Sequence, residues 1–142
     1  DKTRIFMTEV ESWIKQHQSE LPRIVTAQDL RDFKRSYLSN NEEVSLRTFA
    51  VTAFGDQHPK LSTSLVTHLR EKGLKDPRFK VHQKEWARHS NKLTYRLTRD
   101  NKTVEIRGDL EAVKTLVKIT EPTKNNPHYR ATITADSLEE VP

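Results

Sequence analysis

The side chains that could do chemistry are six histidines, a scatter of serines and a few carboxylates, with no cysteine in the chain. The missing thiol removes disulfides, thiolate metal sites and a Cys nucleophile, and it fits a reducing compartment. His82 and His89 stand seven residues apart and His58 and His68 ten apart. Neither spacing matches the short His–His separations that hold a zinc ion from one element. Ser36, Ser45, Ser62, Ser64 and Ser90 lie outside any Gly-x-Ser-x-Gly elbow, and three glycines cannot build a loop that cradles phosphate. Glu105 and Asp109, close to Lys114, could suggest a metal-dependent nuclease. Glu105 is explained equally well as a residue of an exposed strand face, and Asp109 as a helix cap. The sequence therefore predicts no enzyme, no metal and no cofactor.

What remains is charge. The chain of 142 residues carries a formal charge of +5, which alone argues weakly for an anionic partner. Its distribution says more. Residues 1–40 hold seven Lys/Arg against six Asp/Glu, and 108–142 hold four against six. Residues 58–99 hold eleven against three, with four of the six histidines. A local excess of eight exceeds what solubility needs, and it points to nucleic acid, with an acidic protein as the alternative partner.

The elements that must carry this block follow from periodicity. Phe6, Val10, Trp13, Ile14 and His17 predict an amphipathic helix over 3–19. Arg23-Ile24-Val25 suggests a short extended piece. Thr26 with Asp29 three residues on predicts a capped helix burying Leu30, Phe33, Tyr37 and Leu38. Ser45 caps a third helix with Leu46, Phe49, Ala50, Ala53 and Phe54 on one face, stopped by Gly55. Ser62 caps a fourth, with Leu65, Val66 and Leu69 buried. Past Pro77 the period changes to two. Arg78-Phe79-Lys80-Val81-His82, then Leu93, Tyr95 and Leu97, then Val104 and Ile106 alternate, with a turn at Arg99–Lys102. A helix bearing Leu110, Val113, Leu116 and Val117 and a strand through Tyr129, Ala131 and Ile133 follow.

Helices followed closely by a basic hairpin resemble the winged-helix variety of the helix-turn-helix. The resemblance covers roughly residues 3–107. It rests on Ser45-Leu46-Arg47-Thr48-Phe49, on Gly55, on the run Ser62 to Gly73 as recognition helix, and on Leu69-Arg70-Glu71-Lys72-Gly73-Leu74 as the exit to the wing. It implies a single α+β domain over 1–142, with a possible sub-boundary near 75–77. The helical half would come first and the β-hairpin-rich half second.

In that arrangement Thr63, Ser64, Thr67, His68, Arg70 and Lys72 on helix 61–73 face a DNA groove. Lys80, Lys84, Arg88, Lys92, Arg96 and Arg99 on a hairpin over 78–99 neutralise the phosphate backbone. His82 is a further candidate contact with phosphate or base, and Trp86, set among cations, is either core or a stacking group. The expected partner is double-stranded DNA, with RNA, or an acidic protein docked on the basic face, as rivals. The 108–142 region is assigned to a protein partner or a second copy. No segment is apolar enough for a membrane, and the start lacks both Met and a signal-like core. The chain is thus read as an intracellular piece, in cytoplasm, nucleoid or nucleus, of a larger replication, recombination or transcription protein.

Overall fold

A computed structural model describes every residue from 1 to 142. The chain is α+β, with a helical N-terminal half and three small antiparallel strand pairs. It divides into two compact units, Asp1–Ala87 and Arg88–Pro142. The stretch 75–77 runs unbroken into the first unit's sheet, where Leu46 N–H donates to the Pro77 carbonyl at 3.0 Å.

The first unit is built from α1 (Lys2–His17), a 3-10 turn (Gln18–Glu20), α2 (Ala27–Asn40), β1 (Glu43–Ser45), α3 (Leu46–Phe54), α4 (Pro59–Glu71) and β2 (Arg78–Lys80). Helix α5 (Gln83–Ser90) begins in it. Two of the helix caps form where the sequence places them. Thr26 and Asp29 make a reciprocal capping box, and Ser45 Oγ accepts from Thr48 N–H at 3.3 Å. Gly55 ends α3 at φ 73° while its N–H still reaches the Val51 carbonyl at 2.8 Å. That left-handed backbone costs glycine little and other residues more. Arg23–Val25 is a turn rather than an extended piece, and it leaves Ile24 80% exposed. Helix α4 starts earlier than expected, at Pro59, whose missing N–H suits a first helical position. Ser62 sits inside the helix and donates to the Pro59 carbonyl at 3.1 Å.

The periodic apolar faces meet in one core. Phe6, Trp13, Ile14, Leu38, Leu46, Phe49, Leu65 and Leu69 are all essentially inaccessible, each contributing roughly 1.5–3 kcal/mol through burial. Phe49 is its centre, with ring contacts to Phe6 at 4.9 Å, Phe33 at 5.2 Å and Tyr37 at 5.3 Å. Between α1 and α2, Arg31 Nε approaches Glu11 at 2.9 Å. Burial pushes the Glu11 carboxyl up, but Arg31, helped by Lys34 and Lys15, holds it below its ordinary range. Burial lowers Lys34 to about 8, reinforced by Arg35 and Arg31 and opposed by Glu11.

The hairpin expected over 78–99 does not exist as one piece. The alternation at 78–80 is real, but its partner is β1, with Val44 opposite Phe79 and Glu43 opposite Lys80. An apolar residue and a carboxylate already lay in position for that pairing. Residues 83–90 then coil into α5, because His82 caps them: its Nδ1 accepts from Glu85 N–H at 3.1 Å. Trp86 is buried at 7% exposure, so it is core rather than a stacking surface.

The second unit holds the actual hairpin, β3 (Lys92–Arg99) with β4 (Lys102–Asp109), in register from Lys92↔Asp109 to Arg99↔Lys102. Asp100 and Asn101 take φ of 50° and 65°, the two-residue turn that matches strand twist. Helix α6 (Leu110–Leu116) follows, then β5 (Val117–Thr120) paired with β6 (Arg130–Ile133). The helix expected to include Val117 stops one residue earlier, and Val117 opens a strand the periodicity missed.

Candidate nucleic-acid interface

Helices α3 and α4 run from Ser45 through the turn at Gly55–His58 to Glu71, packed against one another. Helix geometry sorts the α4 side chains. Leu65 and Leu69 enter the core, and Val66 is half-buried toward α3. Thr63, Thr67 and Arg70, spaced i, i+4 and i+7, all lie exposed on the opposite strip.

Ser64 and His68 do not join that strip. Trp13 Nε1 donates to Ser64 Oγ at 3.1 Å, and His17 Nε2 lies 3.5 Å from the same oxygen. His68 Nε2 sits 3.1 Å from Glu9 Oε1, with its side chain 11% exposed. Both residues hold α4 to α1. Both are half-buried and turned toward α1, apart from the exposed strip. Lys72, at the helix C-cap, is exposed.

An open groove of about 580 Å³ runs between α3 and α4. Its floor includes Val51 and Val66, and Arg47, Thr63, Thr67 and Arg70 border it. Arg47 projects from the first turn of α3. Neither Arg47 nor Arg70 takes part in an ion pair. Sequence reasoning missed Arg47, and Lys60 in the first turn of α4. Their signal was available: in a helix-turn-helix the start of the first helix borders the backbone, and Arg47 stands two residues after its cap.

The cations expected along a wing are divided between the two units. In the first, Lys80 is exposed on β2 and Lys84 on α5, while Arg78 leans to Glu43 at 3.5 Å. His82 is committed to capping α5. In the second, Lys92 pairs with Asp109 at 2.7 Å, and Arg96 with Glu105 at 2.9 Å. Arg107 reaches the other Glu105 oxygen at 2.8 Å. Arg96, and after it Arg107, hold the Glu105 carboxyl below its ordinary range, and Lys92 does the same for Asp109. Arg88 is exposed on α5, and Arg99 stands exposed beside the hairpin tip, opposite Lys102. Glu105 and Asp109 thus serve as counterions within a ladder. Asp109 makes no side-chain cap bond to α6.

No helix is long and apolar enough to cross a membrane. No protein-family model, curated protein or solved structure matches the chain.

Proposed function

We propose that the chain is a winged-helix-like DNA-binding module, with the exposed strip of α4 in a groove and Arg47 on the adjoining phosphates. The observation that carries this reading is the strip itself. Thr63, Thr67 and Arg70 lie in line on a helix anchored from behind by Trp13–Ser64 and Glu9–His68. Short hydroxyl side chains permit close approach to base edges, and unengaged guanidinium groups displace counterions from phosphate. Lys60, Lys72, Lys80 and Lys84 add exposed positive charge to the same unit. In the second unit, Arg99 remains a candidate for the backbone, whereas Lys92 and Arg96 must first give up carboxylate partners. Such a module would address a larger replication, recombination or transcription protein to its site.

A second reading is favoured by the apolar floor of the α3–α4 groove. Val51 and Val66 between Arg47 and Arg70 would suit an amphipathic acidic segment of another protein.

One titration separates the readings. Duplex DNA, duplex RNA, single strands and an acidic amphipathic peptide are compared at several salt concentrations. Duplex DNA binding that falls steeply with salt, and is lost in Arg70→Glu, supports the proposal. An A-form major groove is too narrow for α4, so preference for duplex RNA overturns it. So does tight peptide binding with no salt-sensitive DNA complex.

A further inference from the structure

We infer that the α4 strip selects a guanine with thymine beside it in the DNA major groove. This rests on the DNA-binding reading above and adds which bases are read.

The dimensions come first. At a rise of about 1.5 Å per residue, Thr67 lies about 6 Å and Arg70 about 10.5 Å along the helix from Thr63. Base pairs follow at about 3.4 Å, so the strip covers roughly three of them. The three side chains can therefore address neighbouring pairs within one pass of the groove.

The chemistry then narrows the bases. Arg70 is exposed, makes no ion pair and lies one residue before the last position of α4. Its guanidinium has only donors, in a planar fork. Guanine offers that fork two acceptors, O6 and N7, whereas adenine sets an N6 amino donor next to N7. Bidentate reading of adenine needs Asn or Gln, and α4, Pro59–Glu71, contains neither. Thr63 and Thr67 each bring a methyl group, and half-buried Val66 lines the groove next to them. This run of methyl groups, interrupted only by hydroxyls, matches the C5-methyl of thymine, which no other base carries.

Ser64 and His68 would have blurred this pattern had they shared the strip. The Trp13 indole and the Glu9 carboxylate hold them on the α1 side. The reading surface then comprises the Arg70 fork, two threonines and, one turn before Thr63, the exposed Lys60.

The test begins with the full chain selecting duplexes from a randomised pool at fixed salt. The selected duplexes should share a guanine with a thymine within the next two base pairs. Replacing that guanine by 7-deazaguanine removes the N7 acceptor. It should weaken the parent roughly 10- to 100-fold and leave Arg70→Ala unchanged. Replacing the thymine by deoxyuridine should weaken the parent several-fold and Thr67→Ser by less.

An unselected pool bound with high affinity overturns this inference while the DNA-binding reading stands. So does an Arg70→Ala variant that still prefers guanine, which would place Arg70 on phosphate. Failure to bind any duplex removes the DNA-binding reading and this inference together.

Discussion

Glu9 on α1 and His68 on α4 lie 3.1 Å apart, and one turn earlier Trp13 donates to Ser64 at 3.1 Å. Two of the six α4 residues that the sequence assigns to DNA therefore serve the helix–helix junction. Stability and binding should separate accordingly. Ser64→Ala leaves the buried Trp13 N–H without its acceptor and should cost about 1–2 kcal/mol in urea unfolding. Its duplex affinity, once folded, should stay within a factor of two or so. Thr67→Ala and Arg70→Ala should do the opposite, weakening the complex with little change in the unfolding midpoint. A Ser64→Ala protein of parental stability would disprove the division.

Ion pairing ranks the remaining cations. Arg96 gives two hydrogen bonds to Glu105 at 2.9 and 3.0 Å, whereas Arg47 and Arg70 have no carboxylate partner. Removing a cation already neutralised releases no additional counterion. Arg47→Ala should flatten the plot of log affinity against log salt by about one unit, whereas Arg70→Ala should cost affinity and guanine preference with a smaller change of slope. Arg96→Ala should leave the slope nearly unchanged. Equal slopes for Arg47→Ala and Arg96→Ala would contradict the ranking.

Lys34 should make stability rise on the alkaline side. Its pKa is lowered to about 8, chiefly by burial. Below that pH both folded and unfolded chains carry the proton. Between pH 8 and the ordinary lysine value near 10.4 only the unfolded chain binds it, so the free energy of unfolding climbs through this window. Lys34→Met should accordingly be more stable than the parent at pH 7, by on the order of 1–3 kcal/mol, the difference closing by about pH 10. Chemical denaturation at a series of pH values reads this directly. A less stable Lys34→Met at pH 7 would mean that attraction to Glu11 outweighs burial.

At Glu11 the same downward shift favours the charged form, so stability is lost in acid. Its folded pKa is lowered despite burial, because Arg31 sits 2.9 Å away with Lys34 and Lys15 nearby. The contribution is complete above the unfolded carboxyl value near 4.3 and disappears as pH falls through the lower folded value. At neutral pH a double-mutant cycle of Glu11→Gln and Arg31→Gln should give a coupling of about 1 kcal/mol. That coupling should vanish in acid below the folded value. A coupling independent of pH would assign the contact to packing instead.

Much of the fold was legible because its signals are local. The Thr26–Asp29 box, the Ser45 cap, the Gly55 stop and the Asp100-Asn101 turn involve residues within four positions of each other, and each forms as read. The stripes through Phe6, Val10, Trp13 and through Leu46, Phe49, Ala50 likewise state which helix faces are apolar. The block of positive charge over 58–99 is a count, and no folding can alter it.

Partner choice between distant residues was not legible. Phe79 alternates with its neighbours as a hairpin strand would, yet it pairs with Val44, which lies two residues before α3. Ser64 and Thr63 are adjacent hydroxyls of equal standing in the sequence. A helical step of about 100° turns one toward Trp13 and leaves the other in the groove. Arg70 and Arg96 are likewise the same residue type in one basic block, but only Arg96 meets a carboxylate across a strand pair. Composition and short-range pattern determined where the charge lies and where helices begin and end. Which cations stay unpartnered depends on contacts between segments far apart in the chain, and those were decided by how the helices and strands pack.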